Sequence, residues 1–182
     1  FKGVVDFQRK YQPAGILIQN GIQTNGTLLD ETWCRFLKKE GFTVGLSLDG
    51  PENLHDTYRV TKFGKGTHSQ VMNGQRLLKE YQIPYDILCV VHHHNVGHPL
   101  EVYRFFKEIG ASYIGFLPVV NSLTDCVDPQ KYGAFLCSVF DEWKAHDMHT
   151  QCMYHETHQL MPPAAFGSPC ARTVRCGAAG EG

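Results

Sequence analysis

Apolar positions along this chain recur with two alternating periods. Helix-type stripes, with apolar residues three and four apart, run through residues 1–12 (Val4, Val5, Phe7) and through Trp33, Phe36 and Leu37. Two more follow, through Val102, Phe105, Phe106 and Ile109, and through Tyr132, Phe135, Leu136, Val139, Phe140 and Trp143. Short strand-type apolar runs lie between them at residues 16–23, 42–48, 85–91 and 112–119. The punctuation agrees. Pro13 stands beyond the first stripe, Asp30 precedes the second as a cap, and Gly41 follows it. Thr67-His68-Ser69-Gln70 fits a capping box opening a helix to about Tyr81. His98-Pro99 and Asp128-Pro129 place proline in a first helical turn. Strands therefore recur about every 30 residues with a helix between them, the spacing of βα units in a parallel sheet or barrel. The expected class is α/β. Four units cannot close an eightfold barrel, so a partial barrel is the consistent architecture. After about His146 the rhythm breaks, and residues 147–182 read as a linker and the beginning of a second module.

Two polar runs close the first two strands: Gly21-Ile22-Gln23-Thr24-Asn25-Gly26 and Val44-Gly45-Leu46-Ser47-Leu48-Asp49-Gly50-Pro51. Parallel strands joined by helices put their carboxyl ends on one side, where such folds do their chemistry. Gln23, Asn25, Ser47 and Asp49 would then converge on one mouth. Asn-Gly and Asp-Gly are also ordinary turn pairs. Arg59, downstream in His55-Asp56-Thr57-Tyr58-Arg59, is a fixed cation suited either to gripping a carboxylate bidentately or to a surface ion pair. The polar connection at residues 49–66 exceeds the roughly 15 residues beyond which structureless loops are uncommon and usually functional.

Composition narrows the function classes. The formal net charge is -1 and no Lys/Arg block stands out, which leaves no electrostatic footprint for nucleic acid. No apolar run approaches the roughly 20 residues needed to span a bilayer. The chain opens at Phe1 without a secretory signal and stops in loop-like sequence, so both ends read as cuts in a longer protein. Seven cysteines, an odd number scattered through periodic segments, point to a reducing, cytoplasmic setting. Cys34, Cys89 and Cys137 sit in apolar segments and read as buried free thiols; Cys126 and Cys152 carry no signal. Cys170 and Cys176, with five residues between them, are metal ligands or two unlinked thiols. In His92-His93-His94 only the first and third can share a side of a strand, and buried or solvated imidazoles outweigh a metal site. His155 and His158 read as surface residues. Ser-His-Asp, phosphate-loop and His-Glu-x-x-His patterns are absent from the sequence.

Several segments together resemble the anaerobic sulfatase-maturating enzymes, a radical S-adenosylmethionine (SAM) family with a C-terminal SPASM extension. They are Gln23-Thr24-Asn25-Gly26-Thr27-Leu28-Leu29-Asp30, Gly45-Leu46-Ser47-Leu48-Asp49-Gly50-Pro51 with His55-Asp56-Thr57-Tyr58-Arg59, His98-Pro99-Leu100-Glu101-Val102-Tyr103-Arg104-Phe105, Phe140-Asp141-Glu142-Trp143, and Cys170-x5-Cys176-Gly177. The resemblance implies a partial (β/α)6 barrel over residues 1–146 and the start of a SPASM region over residues 147–182. It implies a [4Fe-4S] cluster that cleaves SAM to a 5′-deoxyadenosyl radical, which oxidises a Cys or Ser of a sulfatase to formylglycine. By motif, Ser47 and Arg59 are expected to touch SAM at the ribose and methionine carboxylate, and Leu117 at the adenine. Gln23 and Asn25 would line the SAM and peptide pocket, and Cys170 and Cys176 would begin an auxiliary cluster. The implied partners are a sulfatase polypeptide and an electron donor such as flavodoxin or ferredoxin, with no nucleic acid and no membrane. Other SPASM peptide-modifying enzymes and a non-catalytic peptide-binding module are the alternatives. The family's Cys-x3-Cys-x2-Cys signature and its Gly-Gly-Glu motif do not occur in these 182 residues. The chain by itself is therefore expected to cleave no SAM; its purified form should lack an iron–sulfur absorption band, and a strong band with SAM cleavage would contradict this.

Overall fold

A computed structural model describes residues 1–120, 126–147 and, as backbone, 152–155. Five parallel strands form one sheet in the order β1-β2-β3-β4-β5, each strand joined to the next by a helical crossover. Helix α1 (Lys2–Tyr11) precedes β1 (Gly21–Thr24), α2 (Glu31–Lys39) and β2 (Thr43–Ser47). Next come a short α3 (Glu52–His55), α4 (His68–Glu80), β3 (Tyr85–Val91), α5 (Pro99–Glu108), β4 (Tyr113–Pro118), α6 (Pro129–His146) and β5 (Cys152–His155). This is the parallel α/β order of a partial barrel.

One face of the sheet holds the core. Val44, Leu46, Leu48, Ile87, Cys89, Val91, Ile114 and Phe116 are buried with Leu37, Leu78, Val71, Val102, Phe106 and Phe135 from the helices. Strand alternation puts the residues between them on the opposite face. In register across the strands these are Gln23 with Gly45, Gly45 with Asp86, Ser47 with Leu88, Leu88 with Gly115, and Val90 with Leu117. Among the described residues this second face has no helix over it: Asp86, Leu88, Val90 and Leu117 are only half-buried. Gly45 and Gly115 flank Leu88 there, and a Cβ on either would press to 3.0 and 3.1 Å from its methyl carbons.

Most expected elements form where the pattern puts them, and the differences have physical causes. Residues 16–20 stay outside the sheet; β1 begins only at Gly21, where β2 offers a partner at Thr43. Ile16 and Leu17 are exposed, as are Val4 and Phe7 on α1, where only Val5 is buried. The 49–66 connection is not structureless, since α3 lies within it. Thr67 does not cap α4 with its own side chain. Asp56 does so from eleven residues upstream, its Oδ1 accepting the N–H groups of Thr67 (2.9 Å) and His68 (2.8 Å). Gly66 permits this, because a Cβ there would collide with the Asp56 carboxylate. Phe140 faces outward and Cys137 is exposed, whereas Cys34 and Cys89 are buried as expected. The βα rhythm also continues past His146, since β5 pairs with β4. A four-residue strand that follows a long helix is too short for a period count to find.

These placements predict opposite outcomes for two phenylalanines. Phe106→Ala should lower unfolding free energy in urea by about 3–5 kcal/mol, as for a fully buried aromatic. Phe140→Ala should change it by less than about 1 kcal/mol, and equal losses would contradict the assigned faces.

Candidate functional site: the carboxyl ends of the strands

The site is built around Asp49, two residues beyond the end of β2 and buried. Its carboxylate accepts a bidentate grip from Arg59, Nε to Oδ2 at 2.5 Å and an Nη to Oδ1 at 3.0 Å. Oδ1 also accepts the backbone N–H of Val90 on β3 at 2.8 Å. The same residue is held by its main chain. Its N–H donates to His55 Nδ1 at 3.2 Å, and its carbonyl accepts from Asn95 Nδ2 at 3.1 Å. Asn95, fully buried, donates from the same nitrogen to Val90 O and accepts His92 N–H on Oδ1. One carboxylate and one carboxamide thus tie the ends of β2 and β3 together.

His55 closes the ring. Because Nδ1 accepts from Asp49, the proton sits on Nε2, 3.2 Å from Thr67 Oγ1. The Thr67 hydroxyl in turn donates to Arg59 O at 2.7 Å. Burial holds the His55 imidazole down at about pKa 4, with Arg59 and His68 adding to the effect and Asp49 and Asp56 opposing it. Arg59 is therefore fixed at both ends, its guanidinium by Asp49 and its carbonyl by Thr67. One Nη remains without a protein partner among the described residues.

The structure places the expected site residues as follows. Gln23, Ser47 and Leu117 share the uncovered face by register, and the hydroxyl of buried Ser47 makes no hydrogen bond among the described residues. Asn25 follows β1 and is exposed; its Oδ1 accepts from Thr27 N (3.2 Å) and Thr27 Oγ1 (3.0 Å), so part of its polarity serves the turn. Cys170 and Cys176 lie outside the described residues. His92 is buried and His94 exposed; their rings sit 6.3 Å apart with Tyr58 packed against both. Among the described residues no group of three or more His, Cys, Asp or Glu could hold a metal ion. Asn95 and His55 are the functional positions that pattern reading misses, because each acts through a contact distant in sequence. Asp49 carried a signal: a carboxylate at a strand tip ten residues before an arginine.

What this arrangement can do is bind a polar, partly anionic small molecule. The face carries an unpartnered hydroxyl at Ser47 and ends at a cation held in one orientation.

The model of the radical SAM superfamily matches residues 7–106, more than half of the chain. The chain belongs to the radical SAM superfamily. It is similar to the serine-type anaerobic sulfatase-maturating enzyme of Bacteroides thetaiotaomicron, 38% identical in an alignment that covers 81% of this chain and 41% of that protein. It is also similar to the cysteine-type anaerobic sulfatase-maturating enzyme of Clostridium perfringens, 37% identical in an alignment that covers 79% of this chain and 40% of that one. The chain thus spans about two fifths of the length of these curated relatives. Among solved structures it resembles anSMEcpe with bound AdoMet at a TM-score of 0.77 and 33% identity, covering 85% of this chain and 42% of that one. The same protein with bound AdoMet and the Cp18Cys peptide matches equally, at 0.77 and 33%, over 85% of this chain and 45% of that one. SuiB of Streptococcus suis, at 17% identity and a TM-score of 0.57, shares the fold. No helix among the described residues is long and apolar enough to cross a membrane.

Two outcomes follow from the knot. Asp49→Ala leaves the Arg59 cation and the Val90 N–H without their acceptor and should cost about 3 kcal/mol or more in urea unfolding, whereas Glu31→Ala, in an exposed pair with Arg35, should cost less than about 1. The folded-state pKa of His55 lies below its ordinary 6.5, so its contribution is complete above pH 6.5 and is lost as pH falls towards 4. In His55→Leu the pH dependence of stability across that window should be shallower, and an unchanged slope would refute the assignment.

Proposed function

We propose that this chain is the SAM-binding part of a radical SAM enzyme that oxidises a Cys or Ser of a sulfatase polypeptide to formylglycine. The observation that carries the reading is the Asp49-held Arg59, together with the unpartnered Ser47 hydroxyl two residues before Asp49, at the open carboxyl ends of a parallel sheet. Similarity to sulfatase-maturating enzymes over most of this chain supports the choice of reaction.

The residues present fit SAM. Arg59 offers its remaining guanidinium N–H groups to a carboxylate, which is the geometry such a fork suits. The Ser47 hydroxyl, with no competing partner among the described residues, is available to a ribose hydroxyl. Leu117 supplies an apolar edge for an adenine. Gln23 and the Asn25 amide complete the polar wall on the β1 side. Gly45 and Gly115 leave room for the Leu88 side chain, which gives this wall a further apolar surface. SAM, when bound, supplies the hydrogen-abstracting radical chemistry; these side chains bind it, orient it and fix where its reactive carbon meets the peptide.

Among the described residues no group of three or more His, Cys, Asp or Glu could ligate an iron–sulfur cluster. In this reading the barrel part runs through β5. Residues 156–182 then lead to the SPASM region, with Cys170 and Cys176 as auxiliary-cluster ligands. The reductant is a flavodoxin- or ferredoxin-type carrier, and the setting is the cytoplasm.

The test uses the full-length protein, anaerobic and reduced, with a peptide containing Cys-x-Pro-x-Arg or Ser-x-Pro-x-Arg. Mass spectrometry should find formylglycine, and a thioether or carbon–carbon crosslink instead would move the protein to another SPASM activity. Arg59→Ala should weaken SAM binding at least about tenfold by calorimetry, the scale of one lost charge-assisted hydrogen bond. Unchanged affinity would remove Arg59 from the site.

A further inference from the structure

Between Arg59 and Thr67 the chain leaves the mouth, turns and comes back. Thr61 N–H donates to Lys65 O and Gly64 N–H to Thr61 O, each at 2.8 Å, and Val60 bridges Gly66 antiparallel. Thr61 Oγ1 accepts from the N–H groups of Phe63 (3.3 Å) and Lys65 (3.2 Å). This is a hydrogen-bonded turn whose base is fixed by Asp56, Thr67 and the Arg59–Asp49 pair.

An aromatic stands at its apex. Phe63 is 84% exposed, the highest value among the large apolar side chains described, and the Lys62 ammonium lies 5.0 Å from its ring centre. Tyr58 and Val60, also exposed, lead from the mouth towards it, with the Tyr58 ring 4.5 Å from that of buried His92 at the end of β3. Residues 57–66 contain Arg59, Lys62 and Lys65 and no carboxylate. Arg59 is spoken for by Asp49. Lys62 and Lys65 are exposed and make no ion pair among the described residues, so the tip is cationic.

We propose that the 60–66 turn docks the polypeptide substrate, with Phe63 as the apolar anchor and Lys62 and Lys65 matched to an acidic segment flanking the residue that enters the mouth. An exposed aromatic on an ordered turn, ringed by charge of one sign, has the makeup of an interface anchor with electrostatic steering. Its base is hydrogen-bonded to the ends of β2 and β3, so a segment held by the tip is delivered to the site. An anionic lipid surface is the less favoured occupant: two lysines and one aromatic give slight membrane affinity, and a membrane would cover the mouth. The proposal rests on the reading that the substrate is a polypeptide.

The experiment uses the full-length protein with SAM and fluorescein-labelled peptides sharing a Cys-x-Pro-x-Arg core. The core is flanked by Asp/Glu, by Asn/Gln or by Lys, and binding is followed by anisotropy. The wild type should prefer the acidic flank over the neutral one about five- to tenfold at low salt, with the preference fading by 0.5 M NaCl. Lys62→Glu combined with Lys65→Glu should reverse it towards the Lys-flanked peptide. Phe63→Ser should weaken every peptide about tenfold and leave SAM affinity unchanged. Equal binding of all peptides by the wild type, variants that behave as wild type, or lysine-dependent retention on phosphatidylserine vesicles without peptide discrimination would each overturn the proposal. Formylglycine is measured on the same peptides: discrimination without product overturns the proposed activity and leaves docking standing, and product without discrimination overturns docking alone.

Discussion

A carboxylate buried at the end of a strand is costly unless its lone pairs are filled, and Asp49 meets that constraint by recruiting groups from across the fold. Arg59 and the Val90 N–H satisfy its oxygens, while His55 and Asn95 satisfy its main chain. These four partners come from three segments: His55 and Arg59 from the connection after β2, Val90 from the end of β3, and Asn95 from the turn after it. The requirement to neutralise one acid thus decides where the 49–66 connection runs and how the ends of two central strands are spaced. It also orients Arg59, which would otherwise be a long flexible side chain losing rotamer freedom on binding.

The remainder of the site follows from strand alternation around that fixed point. The helices cover one face and leave the other open, which is where the proposed ligand residues lie. Gln23, Ser47 and Leu117 fall on it by register, and glycines at positions 45 and 115 make room there for Leu88. Ring closure from Asp49 through His55 and Thr67 back to Arg59 joins this face to the start of α4. A ligand at the mouth, the capping of α4 by Asp56 and the cationic 60–66 turn therefore share one hydrogen-bonded frame.

Local rules carried much of this in the sequence. Asp30 and Asp128 cap their helices as their positions announce, and β3 spans the residues its apolar run marks. Asp49 at a strand tip and Arg59 ten residues later form one ion pair, a partnership that the sequence offered for Arg59 as one of two readings. What stayed hidden depends on partners far along the chain. Thr67 looked like a self-sufficient cap, but a carboxylate eleven residues upstream took the role. Phe140 matched the inward stripe of α6 yet faces outward, since 46% of it remains exposed on a helix that buries only Phe135 and Val139. Asn95, in the turn after β3, is a buried clamp, a role visible only once β2 and β3 are side by side.

The most direct test is a crystal structure of the full-length protein with SAM bound. The nucleoside is expected on the open face at Ser47 and Leu117, the methionine carboxylate of SAM on the free edge of Arg59, and the Asp49–Arg59 pair intact. SAM lying elsewhere, or Arg59 released from Asp49 to reach it, would contradict the claim that this buried carboxylate sets the geometry of the site.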